Sequence, residues 1–468
     1  MLAAAELLEE LAAIVGAAHV VTDIDIMAPH LVEPRGLYRG SAVAVVRPGT
    51  TAEVAAILAL CHQTRTPVVP QGGNTGLVGA QVPFEHGGEV VLSLRRLDRV
   101  REVDAISGVM TVEAGVTLAR VQSVAEDVDR LFPLSLASEG SCTIGGNLAT
   151  NAGGTAVLHY GNARDLVLGL EVVLADGRVL SGLNKLRKDN TGYDLKHLFM
   201  GQEGTLGIIT AASLRLFPRP RSRETAFIGI AGPDQALALL ALAQSAATVT
   251  TFELVPRIGI DLVLTHTTSR DPLAAPHAWY VLLEISSPER RDLIGTLEAL
   301  LADALDRDLI EDAAIAASLD QRDDFWRIRE DLSSVQGKEG GSIKHDVSVA
   351  VADIPSFMAE AEAAVLARMP DVRIVAFGHV GDGNLHYNLS QPRGADKAAF
   401  LGRWHEMNAI VHGVVARYNG SVAAEHGVGR LKRELLETVK DPVAHAVMRA
   451  LKATLDPRGI LNPGKVLG

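Results

Sequence analysis

The 468-residue chain is predicted to be an α+β protein of more than one domain. Three observations carry this. A strand–helix–strand unit stands near the start, and three glycine-rich loops interrupt the first half. After a basic, proline-containing break at 218–223 (PRPRSR), strands and helices alternate in the pattern of helices set on one side of an antiparallel sheet. The length suits about three domains of ordinary size. Hydrophobic content of 47% with 21% charged residues fits a soluble globular protein. A formal charge of −12 excludes a general nucleic-acid binder, which needs a basic surface, but not a small anion held by a local Arg/Lys pair. Cys61 and Cys142, the only cysteines, are too few for a disulfide framework or thiolate cluster.

In chain order, MLAAAELLEELAAIVG predicts an acidic amphipathic helix to about Gly16. It lacks the basic start of a signal peptide and the Arg-rich character of a mitochondrial presequence, so a cytoplasmic location is expected. SAVAVVRP reads as a buried strand, and TTAEVAAILALCHQTR as a helix capped by Thr50 or Thr51 with Glu53 in its first turn. TPVVPQ returns to strand, completing the β-α-β unit. EVVLSLRRLDRVREVD and GVMTVEAGV predict paired strands, and VTLARVQSVAEDVD a helix. LVLGLEVVLADGRVL predicts a hairpin turning at Asp176 and Gly177. Beyond the break, ETAFIGI, TVTTFELV and WYVLLEIS are strands. ALALLALAQSAATV and ERRDLIGTLEALLADAL are helices, the former short of the roughly 20 residues that span a bilayer. WRIREDLSSVQG predicts a helix or its end, and GSIKHDVSV the strand after it.

Chemistry concentrates in the loops. PQGGNTGLVGA (70–80) has four glycines in eight residues, which lets successive N–H groups converge on an anion. SEGSCTIGGNLATNAGGTAVLHYG (138–161) is too polar for a core element and too long for a simple connector. DLKHLFMGQEGTLGIITAASLRLFP closes the first half. No G-x-G-x-x-G follows the first strand, so a Rossmann dinucleotide site is not supported. GILNPGK (459–465) fails as a Walker A motif because Val466 stands where Ser or Thr must bind magnesium.

Late in the chain, AFGHVGDGNLHYNL (376–389) sets two histidines about a Gly-Asp-Gly-Asn turn. Pairing across a four-residue loop at 381–384 puts Val380 opposite Leu385 and His379 opposite His386. Their Cβ atoms would then be about 4.5–5.5 Å apart, close enough for both imidazoles to share a metal. SVAAEHGVG adds Glu425 and His426. Two His and one carboxylate form a divalent-metal set suited to zinc but not exclusive to it. HEMNAIVH, with His405 and His412, has no H-E-x-x-H arrangement and reads as a helix surface.

Taken together, PQGGNTGL, SCTIGGNLATNAGG with YGNARDLVLGLEVVLADG, and DLKHLFMGQEGTLGIIT resemble the FAD-binding domain of the vanillyl-alcohol oxidase type. The resemblance spans nearly the whole chain and is closest to the branch of D-2-hydroxyglutarate, D-lactate and glycolate dehydrogenases. It implies a two-subdomain FAD-binding domain over 1–220, an α+β substrate (cap) domain over 221–415, and a segment, 416–468, that returns to the flavin domain. It implicates Gly72, Gly73, Asn74, Thr75 and Gly76 in the first loop. The second loop contributes Ser141, Ile144, Gly145, Asn147, Thr150 and Gly153, the third Glu203, Gly204 and Ile209, and the terminal NPGK motif Asn462. Relatives with covalent flavin carry His where this chain has Asn74, so non-covalent FAD is expected, and Cys142 is read as a buried filler.

The same resemblance implies a divalent metal, zinc first, on His379, His386 and Glu425, and His426 as general base. Arg329, Ser333 and Lys344 are placed at the substrate carboxylates with Asn388 beside them; Ser333 departs from the threonine of the hydroxyglutarate enzymes but keeps the hydroxyl. The expected reaction is oxidation of D-2-hydroxyglutarate to 2-oxoglutarate by hydride transfer to flavin N5. D-lactate, D-malate or glycolate is the alternative substrate. Electrons are expected to leave to a separate acceptor, an electron-transfer flavoprotein or the quinone pool, and oligomeric state stays open, a homodimer included. A flavin-free metallohydrolase leaves the glycine-rich loops without a purpose. A non-catalytic nucleotide-binding subunit leaves the His/Glu residues idle.

Overall fold

The computed structural model describes residues 3–467, which form two compact units. The first takes the chain up to Gly153, Asn162–Arg219 and everything from Glu425; the second takes Gly154–Gly161 and Pro220–Ala424.

In the first unit the opening helix, Ala4–Val15, buries Leu7, Leu11 and Val15, a stripe at i, i+4, i+8 that defines one helical face. The helix Thr51–Thr64 starts where Thr50 Oγ1 accepts the Glu53 N–H at 3.1 Å, which satisfies one of the orphan donors of the first turn. The strands on either side of it, Ala44–Val46 and Val68–Gln71, do not pair with each other. Val90–Ser93 lies between them, parallel to both. This corrects the expectation for EVVLSLRRLDRVREVD. Its first part joins the parallel sheet, and only Val100–Asp104 pairs with Val109–Glu113. The reason is burial. Each residue of Val90–Ser93 is buried, and the apolar run Val90, Val91 and Leu92 is suited to the middle of a covered parallel sheet. The second sheet, in order Val100–Asp104, Val109–Glu113, Ile208–Arg215, Val167–Val173, Val179–Gly182, is antiparallel throughout. Its last hairpin turns at Asp176 and Gly177 as expected, Gly177 having φ +88°.

The loop at 138–161 is more ordered than its composition predicts, because it contains the helices Ile144–Ala149 and Val157–Tyr160. Its glycines serve close packing. A Cβ on Gly145 would stand 2.6 Å from the Ala114 Cβ.

In the second unit, Val249–Pro256, Trp279–Ser287, Ser222–Ile230 and Asp312–Ile315 form an antiparallel sheet in that order. Helices cover both of its faces rather than the single face expected. Ile228 and Leu283 pack with Leu239 and Leu297 of the helices Pro233–Ala246 and Leu293–Asp306. Phe227 and Leu282 pack with Ile260, Ile328 and Leu332 of Arg257–His266 and Leu319–Val335. These strands are apolar on both sides, so neither face can be left to water. A second sheet places Ser342–Ile343, Asp346–Ser348 and Arg373–Phe377 antiparallel to Asn384–Ser390. GSIKHDVSV is thus two strands, broken at Lys344 and His345. Leu254 and Gly378 bridge the two sheets through a pair of backbone hydrogen bonds of 2.9 and 3.0 Å. No helix among the described residues is long and apolar enough to cross a membrane.

Candidate functional site

The glycine-rich loops of the first unit converge on one cavity with about 780 Å³ of empty volume. Gly72, Gly73, Asn74, Thr75, Gly76, Gly145, Asn147, Thr150, Glu203, Gly204, Ile209 and Asn462 all line it. Ser141, Ile144 and Gly153 stand outside. Ile144 is buried in the core, the Ser141 carbonyl backs Gly73, and Gly153 lies against the Glu425 carboxylate. The cradle fits a long phosphate-bearing cofactor because its walls are backbone. A Cβ on Gly73 would fall 2.0 Å from the Ser141 carbonyl oxygen, and one on Gly204 2.2 Å from Pro70 Cγ. Asn74 has φ +58°, and its Nδ2 donates to the carbonyls of Pro29 (2.9 Å) and Val32 (3.0 Å). Lys465 of the NPGK motif is fully buried over the Phe84 ring, 3.4 Å from Glu89. Burial pushes its ammonium down to about 8, with Glu89 opposing.

Glu203 does more than line the cavity. Its carboxylate accepts the N–H groups of Val428 (2.7 Å) and Gly429 (2.9 Å), and its carbonyl accepts Asn462 Nδ2 at 2.7 Å. The third loop therefore holds the turn that follows Glu425 and His426. Burial pushes the Glu203 carboxyl up to about 7, against the two N–H groups and the charge of Lys432. An acid with a raised folded pKa binds more protons folded than unfolded, so it withdraws stability as pH rises from its unfolded value to its folded one. Wild type is expected to lose of order 3 kcal/mol between pH 4.5 and 7 through this group. Glu203→Gln should lose that share of the pH dependence when thermal unfolding is followed over the window, and an equal slope in both proteins would refute the assignment.

The second unit carries the histidine hairpin, in a different register from the one predicted. Phe377, not His379, opposes His386, and Val375 opposes Asn388. The loop takes residues 378–383, with a 3-10 turn at Val380–Asp382 and the His379 carbonyl accepting from Asp382 (3.1 Å) and Asn384 (3.3 Å). Gly378, at φ +154°, and Gly383, at φ +89°, make this possible, since a Cβ on Gly383 would lie 2.2 Å from the Val349 carbonyl oxygen. The slip is two residues, which preserves the face of the strand. The His379 and His386 rings therefore still meet, as diagonal neighbours with centroids 5.8 Å apart.

Two carboxylates that sequence reasoning missed complete the setting. Asp346 pairs with His386 across the strands, its ligand oxygen within 4.8 Å of a His386 ring nitrogen, and it accepts Asn384 Nδ2 at 3.1 Å. Glu253, fully buried, accepts Arg329 Nε at 2.6 Å on one oxygen and His379 Nδ1 on the other. Burial opposes its ionisation, but Arg329 and His379 outweigh that and hold it down at about 2. For Glu253 the available signal was a lone acid inside the strand TVTTFELV, where an ionised group needs a partner; Asp346, beside Lys344 and His345 in GSIKHDVSV, carried no such signal.

Arg329, buried on the helix Leu319–Val335, stacks on Phe377 at 4.9 Å. Its Nη1 and Nη2, and the amide of buried Asn388, have no hydrogen-bond partner among the described residues. Lys344 Nζ donates to the Ser333 carbonyl at 3.1 Å, so those two positions meet at the end of the same helix. Glu425 and His426 continue directly from Ala424, whose N–H reaches the Asp346 carbonyl at 3.4 Å. Their ligand atoms lie within 4.8 Å of each other. Asp346 and His386 offer two of the donors, a carboxylate oxygen and an imidazole nitrogen, that a divalent cation takes. His405 is exposed as expected, but His412 is half-buried, its ring 5.4 Å from His345.

Comparison with known proteins identifies the family. The FAD binding domain model matches residues 42–182, and the model for FAD linked oxidases, C-terminal domain, matches 219–466. The chain is 39% identical to the probable mitochondrial D-2-hydroxyglutarate dehydrogenase of Oryza sativa subsp. indica, over 97% of this chain and 80% of that one. It is 35% identical to the D-2-hydroxyglutarate dehydrogenase of Xanthomonas citri pv. viticola (91% and 89% covered). A D-2-hydroxyglutarate–pyruvate transhydrogenase of Saccharomyces cerevisiae is 37% identical (92% and 87%). In fold it is similar to p-cresol methylhydroxylase (TM-score 0.76, 16% identity, 99% and 96% covered). It is likewise similar to 4-ethylphenol oxidase from Gulosibacter chungangensis (0.74, 19%, 99% and 96%). The chain belongs to the FAD-linked oxidoreductases of the vanillyl-alcohol oxidase type, in the branch that contains the D-2-hydroxyglutarate dehydrogenases.

Proposed function

We propose that the chain oxidises D-2-hydroxyglutarate to 2-oxoglutarate with non-covalent FAD and a divalent cation. The observation that carries the substrate is the second unit's unspent donor set, Arg329 Nη1 and Nη2 and the Asn388 amide, with Lys344 at the same helix end. A buried guanidinium with two open donors suits a carboxylate, which it holds bidentately. Bound FAD supplies the hydride acceptor at N5, and the cation, zinc first, supplies Lewis acidity. Arg329, Ser333 and Lys344 hold the substrate carboxylates, and Asn388 orients the carbon that reacts. His379, His386 and Glu425, with Asp346 beside His386, are the cation's ligands. His426 takes the 2-hydroxyl proton, a role suited to imidazole near neutral pH, and the C2 hydrogen leaves with its electron pair.

The test is anaerobic bleaching of the yellow protein by D-2-hydroxyglutarate, D-lactate, D-malate and glycolate, before and after chelation. D-2-hydroxyglutarate is expected to bleach fastest, chelation to stop the bleaching and added zinc to restore it. Bleaching that is unchanged by chelation would remove the metal from the reading, and preference for another acid would remove the substrate. The resemblance to a transhydrogenase favours one variant on the electrons' exit, a 2-oxo acid in place of a protein or quinone acceptor. Reoxidation of the bleached protein by pyruvate distinguishes it.

A further inference from the structure

We infer that Glu253 is a positioning residue that turns His379 into an oriented metal ligand and ties it to the substrate arginine. This rests on the metal and substrate roles proposed above. Glu253 sits on the Val249–Pro256 strand, 126 residues before His379. The next residue, Leu254, bridges Gly378 through two backbone hydrogen bonds (2.9 and 3.0 Å), so the carboxylate and the imidazole are brought together by the main chain on both sides.

One oxygen of Glu253 takes His379 Nδ1, and the other takes Arg329 Nε at 2.6 Å. An ionised carboxylate only accepts, so His379 carries its proton on Nδ1 and presents Nε2, the nitrogen facing away, as the electron-pair donor. A carboxylate behind a ligating imidazole fixes its tautomer and raises its basicity. The second oxygen fixes the guanidinium by its Nε alone, which leaves the Nη1/Nη2 edge directed away from Glu253 and available for a carboxylate. All three side chains are at least nine-tenths buried, so water cannot substitute for either bond. One buried acid thus sets both the donor nitrogen of the metal site and the binding edge of the substrate site.

The test uses the full-length holoprotein and zinc as the probe. Wild-type protein labelled with 15N-histidine should show a strongly downfield Nδ1 proton, assigned by its loss in His379→Ala. Glu253→Gln should lose that resonance, keep its FAD, and bind zinc about 10–100-fold more weakly in a chelator competition. No such resonance in wild type, or equal zinc affinity in folded Glu253→Gln, would overturn the inference. If Glu253→Gln does not fold, the wild-type resonance decides alone. Wild type that binds no zinc removes the metal reading itself, a result distinct from equal binding by both proteins.

Discussion

Replacing His426 with Ala is expected to slow reduction of the bound flavin by D-2-hydroxyglutarate by about 10²–10⁴-fold, the usual contribution of a positioned general base. FAD should remain bound, because His426 does not line the cavity formed by the three loops. The turn that carries His426 is held from outside by Glu203 through Val428 and Gly429, so removing the imidazole leaves the backbone anchored. Rapid-mixing absorbance under anaerobic conditions measures the step in a single turnover. A variant that bleaches at the wild-type rate would assign the proton to another group.

Gly73→Ala is expected to give a protein that loses its yellow colour on purification. The new Cβ would sit 2.0 Å from the Ser141 carbonyl oxygen and 2.8 Å from its carbon. Both are backbone atoms, so one of the two loops must move. Overpacking of this kind costs about 1–3 kcal/mol. That is roughly a 10–100-fold loss of affinity if it falls on the FAD-bound geometry. Gly140→Ala is the control in the second loop, because its Cβ would meet nothing within 4 Å and Gly140 does not line the cavity. Flavin content after gel filtration reads both. Equal colour in the two variants would show that the cavity tolerates a shift at Gly73 and does not depend on that close approach.

Glu253 and Glu203 show why the partners of a site are harder to read than its ligands. A motif such as GHVGDGNLH or EHGVG declares itself because its residues are neighbours in sequence. Glu253 reaches His379 across 126 residues and Glu203 reaches Val428 across 225, and nothing local to either acid names its partner. The same limit applies to Val90–Ser93. Its apolar run announces a strand, yet its place between Ala44–Val46 and Val68–Gln71 depends on crossovers that periodicity does not record. The register at His379 failed for a related reason. Phe377 and His379 point to the same face, so the hydrophobic pattern cannot distinguish a slip of two residues, and the choice fell to Gly378 and Gly383, whose positive φ values build the longer turn.

What the sequence by itself determined is therefore local: a threonine cap at Thr50 or Thr51, the Asp176 and Gly177 hairpin, the glycine loops able to carry backbone close to an anion, and the His, Glu, Arg and Lys residues able to do the chemistry. These follow from propensity, turn geometry and side-chain type, which act within a few residues. Only the tertiary structure decided which acid stands behind which base, that Asp346 faces His386, and that Glu253 joins His379 to Arg329. Those pairings are settled by burial, because an ionised group removed from water must find its counter-charge wherever the packed chain brings one.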